Sequence, residues 1–345
     1  MKKSLIALAV LAVSGAAMAQ SSVTLYGLLD ASIGQKSEET TGVGAIAKLT
    51  QTVVDHSNLS TTFWGLKGTE DLGGGLKANF KLESAFQLDS GAIANKNTMF
   101  ERAATVGFSG GFGAVNLGRQ YTAYDTLRAA TNNVWDSNFA TTGAVWTAIG
   151  VKDYSNRISN SVRYDSPAFS GFSGSIAYGF GENENDTLAP NFGDATDNVS
   201  VHFKYAAGPL LVGYAHQEEK LVQKVLPTAQ VTNKYDLFGA SYDFGVAKLT
   251  GGYNQAKNGT NKDKEYQIGV SAPFGAFTVA AGYSRAKTER AGAADLDGHG
   301  YTLVGTYDLS KRTTLYVGYK ATDVDKSTTT AVETSTFAAG VRHTF

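Results

Sequence analysis

The sequence predicts an all-β chain, a 16-stranded antiparallel transmembrane β-barrel whose one oversized connection folds into the interior. Three observations predict it. Apolar and small or polar residues alternate with period two over segments of roughly ten residues, many times along the chain. Short turns and long polar stretches separate these segments in alternation. The chain stops flush on an alternating, aromatic segment, Phe337 to Phe345, with no polar tail.

The first segment concerns destination. Lys2 and Lys3 precede an apolar run, Leu5 to Val13, and Ala17-Met18-Ala19 follows as a small-x-small cleavage site. This predicts a signal peptide over 1–19 and one exported β-barrel domain over 20–345. The apolar run is too short to span a bilayer as a helix.

Strand patterns follow in order. Leu76, Ala78, Phe80, Leu82, Ser84, Phe86 and Leu88 share one face, and Lys77, Asn79, Lys81, Glu83 and Gln87 share the other. Val23 to Ile33, Phe172 to Phe180, Val199 to Tyr205, Tyr266 to Ala272 and Leu315 to Ala321 repeat the theme. In the last segment Phe337, Ala339, Val341, His343 and Phe345 face one way, against Thr336, Ala338, Gly340, Arg342 and Thr344. Such a strand suits a wall between lipid and water, and it is expected to close the barrel onto Val23 to Ile33. Tyr178, Phe180, Tyr205, Tyr253, Tyr283 and Tyr319 fall on the lipid-facing parity and read as interfacial girdles. Long polar loops are expected at 35–58, 90–98, 121–155, 182–197, 218–233, 257–263, 286–298 and 323–333, and all five Pro fall in connections.

Composition removes other function classes. The formal charge is −1, or −3 once Lys2 and Lys3 are removed, which excludes the basic excess of a nucleic-acid binder. There is no Cys, and the five His show no zinc spacing, so no metal and no cofactor is expected; the His read as surface or interface residues. No nucleophile, base and orienter stand out as a catalytic trio.

The stretch from Tyr121 to Ser155 is out of scale for a connection. It carries Tyr121, Tyr124, Trp135, Phe139, Trp146 and Tyr154, too apolar for a solvated linker, so it is expected to pack inside the barrel. A neck built this way selects by width and by the field across it. Arg157 and Arg163 share a face with Ser159, Ser161 and Asp165, and Lys67 and Lys81 lie on polar faces, so these cations are candidates for the pore wall. Asp125, Asp136 and Asp153 are the acids of the long connection, and Asp125 and Asp136 are the candidates to oppose the cations.

Several motifs carry a resemblance. Ser22-Val23-Thr24-Leu25-Tyr26-Gly27, Gly65-Leu66-Lys67-Gly68-Thr69-Glu70-Asp71-Leu72-Gly73, Gly118-Arg119-Gln120-Tyr121, Asn160 to Pro167 and Val341-Arg342-His343-Thr344-Phe345 resemble, in order, the Gram-negative general porins of the beta-proteobacterial and neisserial type. The resemblance implies an outer-membrane homotrimer of sixteen-stranded barrels. Its third loop narrows each pore, and ions and small hydrophilic solutes diffuse through passively. It implies wall arginines at Arg157 and Arg102. Arg102 shares its parity with Ala104, Val106 and Phe108, so a bulge or a turn toward the loop is needed to bring it inward. It implies a packing role between subunits for Arg119. It also implies that Phe345 and Val341 belong to a signal read by the insertion machinery of the outer membrane. Phe63 stands where the family commonly carries an inward Arg, which moderates the expectation to a mild anion preference. A substrate-selective channel on the same fold is the alternative.

Overall fold

The computed structural model describes residues 22–42, 47–146, 150–181, 195–223, 229–259, 261–290 and 292–345. The signal segment 1–19 and part of the expected loop 182–197 lie outside them.

Strands follow one another with little else. They are β1 (Ser22–Thr41), β2 (Ala47–His56), β3 (Phe63–Gly73), β4 (Leu76–Ala85), β5 (Ala103–Gly110), β6 (Gly113–Tyr121), β7 (Asn133–Asp136), β8 (Arg157–Asp165) and β9 (Phe172–Phe180). The second half comprises β10 (Ala195–Ala207), β11 (Leu210–Gln223), β12 (Ala229–Asp243), β13 (Lys248–Asn258), β14 (Asn261–Phe274), β15 (Phe277–Glu289), β16 (Leu296–Asp308), β17 (Thr313–Ser327) and β18 (Thr330–Thr344). All but β7 belong to one antiparallel sheet, whose last strand pairs with its first. β2 and β3 lie end to end along β1, against Ala31–Thr40 and Ser22–Leu28. Counted as one interrupted strand, they make the wall sixteen-stranded, as the alternation predicts.

Closure differs in register from the expectation. β18 pairs with Leu28–Thr41 of β1, so it shares Leu28–Ile33 with the expected Val23–Ile33 and runs on toward the far end of β1. Gly27 and Phe345 exchange backbone hydrogen bonds, N to O at 3.2 and 3.1 Å, as the final pair. A Cβ on Gly27 would lie 2.5 Å from the Phe345 ring, so the glycine makes room for the terminal aromatic.

Five of the expected loops are mostly strand. Residues 35–41 and 47–56 belong to β1 and β2, and the described parts of 218–233, 257–263, 286–298 and 323–333 continue β11 to β18. β1, β11, β12 and β15 to β18 reach 13 to 20 residues. About ten residues suffice to cross the apolar layer. Beyond it both faces of a strand meet water, so the apolar stripe vanishes while the ladder continues.

Burial is inside out. Asp30, Gln217, Asn233 and Ser284 are fully buried in the interior, whereas Val23, Leu25, Ile33, Phe203 and Ile268 stand exposed on the outer face. Aromatic pairs run along that face: Tyr178–Phe180, Phe172–Tyr205, Tyr253–Tyr266 and Tyr301–Tyr319, with ring centroids 4.8 to 6.2 Å apart. Lipid satisfies such a surface and water does not.

The long connection packs inside. It runs through a helix, Ala123–Thr131, capped by the Thr122 hydroxyl on the Asp125 amide, then β7 and a short helix, Thr142–Val145. Tyr124, Leu127, Val134, Phe139, Val145, Trp146 and Tyr154 are buried against the wall. Trp135 is the departure: it turns out into the lumen, 37% exposed, with φ at +51°.

Candidate functional site

The inner wall has two unlike halves. Under the loop it is lined by glycines, inward-facing because their strand neighbours Tyr214, Phe238, Ile268, Tyr283, Tyr301 and Tyr319 face out. A Cβ on Gly269 would lie 1.8 Å from the Asn133 carbonyl oxygen, and one on Gly318 would lie 2.6 Å from the Phe139 ring. Gly213, Gly239, Gly282 and Gly300 similarly admit Leu127, Thr131, Val134 and Thr141. This row is the groove that receives the loop.

The loop is fastened at both ends. At its base the Ser200 hydroxyl accepts from the Ala123 amide at 2.9 Å, and His202 Nδ1 lies 2.7 Å from the Ala123 carbonyl. His202 is 3% exposed, so it is an interior anchor and not the surface residue expected. The Tyr124 hydroxyl donates to Asn254 at 2.7 Å. At the tip, the Asn138 amide donates to the Ser57 carbonyl at 2.6 Å, and Lys320 donates to the Asn138 carbonyl. Inside the loop, the Arg128 guanidinium lies over the rings of Trp146 and Tyr154, 5.4 and 5.0 Å from their centroids.

The bare half of the wall carries the cations. Arg102 sits in a bend just ahead of β5, where its amide donates to the Glu83 carbonyl at 3.3 Å. The bend frees it from the outward parity of Ala104 and Val106. Its guanidinium lies 4.7 Å from the centroid of the Phe63 ring, 3.8 Å from the Glu83 carboxylate and 3.2 Å from the Tyr121 hydroxyl. Arg157 approaches the same phenol, lying 4.1 Å over its ring and donating to its hydroxyl. Both arginines therefore converge on one neutral acceptor, and Phe63 packs beneath Arg102.

A bulge explains how the wall reaches Arg157. The β6–β8 register shifts between Gly118 and Gln120, and Asn160 adopts φ +45°. Strict alternation across 157–165 therefore breaks, and Ile158 packs inward near Gly179. Arg119, opposite the bulge, donates to the Glu101 carbonyl at 2.7 Å and to Ser159 at 2.9 Å, a local strut in this chain.

Arg163 binds the loop base. Its Nε and one terminal nitrogen hold Asp165 bidentately at 2.7 to 3.1 Å; the other nitrogen donates to the Tyr121 and Thr122 carbonyls at 2.9 and 3.2 Å. Lys67 lies 4.6 Å over the Tyr26 ring, and Lys81 is 2.9 Å from Glu83. Both face a lumenal cavity of about 430 Å³ that Tyr121 and Arg163 also line.

The loop acids do not pair with Arg102 or Arg157. Among the described residues the carboxylate nearest Arg102 is on the wall, at Glu83. Asp125 is 9% exposed and accepts from the Tyr154 hydroxyl at 2.6 Å. Burial pushes its carboxyl up to about 6, opposed by that hydrogen bond and by the charges of Arg128 and Arg157. Asp136 is exposed to the lumen. Glu83, Tyr121, His202 and the glycine row are the functional positions that sequence reasoning missed. An inward-parity glycine in strand after strand was the available signal for the groove.

A model of the Gram-negative porin family matches residues 4–327. The chain is 37% identical to Outer membrane porin protein 32 of Delftia acidovorans, over the whole length of both. It is 31% identical to the Major outer membrane protein P.IB of Neisseria gonorrhoeae, again over the whole length of both. Among solved structures it superposes on an anion-selective porin from Comamonas acidovorans with a TM-score of 0.79 and 29% identity, covering 94% of this chain and 100% of that one.

Proposed function

We propose, from the premise that the chain belongs to the Gram-negative porin family and forms a passive diffusion channel through the outer membrane, that its neck favours small anions mildly. One observation carries this reading: Arg102 and Arg157 converge on the Tyr121 hydroxyl across from the inserted loop. A neutral acceptor orients two guanidiniums without cancelling their charge. Opposed to a buried, readily protonated Asp125, they leave the neck with a positive field. Glu83 offsets part of that field, and Phe63 adds a ring where a third cation would have strengthened it; both argue for a mild preference.

The Comamonas protein is an anion-selective porin, which agrees in sign. A homotrimer, a lipid-embedded outer face, processing of residues 1–19 and reading of Val341 and Phe345 by an insertion machinery belong to the same proposal. The exposed apolar outer face supports the lipid contact.

Planar-bilayer reversal potentials in a KCl gradient test it. The wild type is expected on the anion side, and Arg102→Gln with Arg157→Gln is expected to move it toward zero or past it. A wild-type potential on the cation side would overturn the reading.

A further inference from the structure

The inserted loop keeps one large aromatic off the wall. Tyr124, Phe139, Trp146 and Tyr154 are buried, whereas Trp135 stands in the lumen. Its backbone is left-handed, a conformation that a bulky residue keeps only when its surroundings hold it there. They hold it from both sides. The Asn133 side-chain amide donates to the Thr141 hydroxyl at 2.8 Å and to the Tyr283 carbonyl at 3.2 Å. The Ser137 hydroxyl donates to the Val134 carbonyl at 2.9 Å, and Asn138 is bound at the tip. The strained turn between these anchors carries the indole away from the apolar wall that takes its neighbour Val134.

Trp135 lines a cavity of about 220 Å³ on the short-turn side of the loop. Asp136 borders it from the loop, and Lys248, Thr250 and Ser271 border it from the inner wall. Lys248 on β13 is directly opposite Ser271 on β14, close to the turn that joins β12 to β13. Asp136 and Lys248 are both exposed, and neither forms an ion pair with the other or with any other charge among the described residues. The arginines of the neck stand elsewhere: Arg102 precedes β5 and Arg157 begins β8, at the long-loop ends of their strands. The cavity thus presents a carboxylate, an indole and an ammonium, with the two opposite charges kept apart.

We propose that this cavity is a station for a small zwitterion, an ammonium carboxylate of amino-acid size. Its ammonium would lie over the Trp135 ring beside Asp136, and its carboxylate would reach Lys248 and the Ser271 hydroxyl. An aromatic face attracts a cation through its quadrupole. The hydrogen bonds between ammonium and carboxylate groups at both ends are charge-assisted. A simple anion would meet Asp136 and a simple cation would meet Lys248, so only a ligand carrying both charges satisfies both ends. The volume lies below the roughly 300–1,000 Å³ of drug-sized sites, which sets the size of the ligand. The proposal goes beyond the anion preference of the neck, because a zwitterion has no net charge for that field to draw.

Glycine betaine is the probe. Choline, which lacks the carboxylate, the carbon isostere of betaine, which lacks the positive charge, and sucrose are the comparisons. KCl current through single channels is recorded while each is added to both chambers. Glycine betaine should give saturable block, at a half-blocking concentration about tenfold below that of either single-charge analogue. Lys248→Gln should raise the value for betaine and leave that for choline in place. Asp136→Asn and Trp135→Leu should raise the values for betaine and choline together, and Trp135→Phe, which keeps a ring, should retain most of the block. Arg102→Gln should move the KCl reversal potential without changing betaine block, so the neck and the station fail separately. Block that does not saturate, equal block by betaine and either analogue, or unchanged block in Lys248→Gln and Asp136→Asn channels of normal conductance would overturn the station. Sucrose block that Trp135→Leu abolishes, with none by betaine, would overturn it as well and assign the cavity to a neutral sugar.

Discussion

The wall beneath the loop and the wall opposite it use the same strand to opposite ends. Under the loop, one inward position on each of β11, β12 and β14 to β17 is a glycine set against it, and the surface is a mould for Leu127, Asn133, Val134 and Phe139. Opposite, inward positions on β1 to β8 carry Lys67, Lys81 and Arg163 among others, and the surface is a field facing water. Period-two alternation is satisfied by both, because it asks only that the inner residue be tolerated by the lumen. The difference shows that an inward strand position is free to encode shape or charge, and this protein assigns each to one side of its pore.

The comparison predicts its largest effect on the mould. Gly269→Ala would set a Cβ against the Asn133 carbonyl, a clash with backbone that cannot rotate away. Overpacking of this kind costs about 1–3 kcal/mol, enough to shift the loop. Single-channel conductance should rise, by about half or more, with noisier open levels. Gly305→Ala, whose Cβ would meet only Val317 at 3.8 Å, is the control and should leave conductance unchanged. Equal effects of the two would show that the loop does not rest on the inward glycines.

A smaller effect is expected at the seam between them. Arg163 holds Asp165 and the loop base with one planar fork. Lys cannot reproduce a bidentate fork, so Arg163→Lys should loosen the base by about 1–3 kcal/mol. Faster protease nicking within 121–156 would report it, while the KCl reversal potential should move little, because the charge is kept.

The smallest effect is on the field, through pH. The Asp125 carboxyl is raised by burial to about 6. A raised acid binds its proton more tightly in the folded chain, so its contribution to stability is complete below about 4 and is lost as pH rises through about 6. Over the same window Asp125 gains its charge close to Arg157. Anion preference should therefore decline slightly from pH 5 to pH 7, and Asp125→Asn should flatten that dependence. A steeper dependence in the Asn variant would assign the titration to another group.

The elements differ in how far they could be read in advance. The facing of the terminal strand could be read in advance, because Phe337, Ala339 and Val341 sit on the outer face by parity alone, whereas its register on β1 could not. Arg163 was legible as inward, yet its role as a clamp on Tyr121 and Thr122 depends on a chain segment some forty residues away. Arg102 is legible as inward only with an irregularity in its strand, and the bend before β5 is that irregularity. The segment 35–58 reads as loop because a strand beyond the bilayer loses its apolar face, although its hydrogen bonds to β18 continue.

By itself the sequence determined the barrel: its wall, its orientation of apolar and polar faces, and the presence of one connection too aromatic for water. Those are local properties, written in residues one and two apart and read against lipid. Only the tertiary structure decided which glycines form the mould, that His202 anchors the loop, and that Glu83 and Tyr121 hold the arginines. Each of these is a contact whose partner is fixed by register around a closed sheet, and register is a property of the whole ring of strands rather than of any one of them.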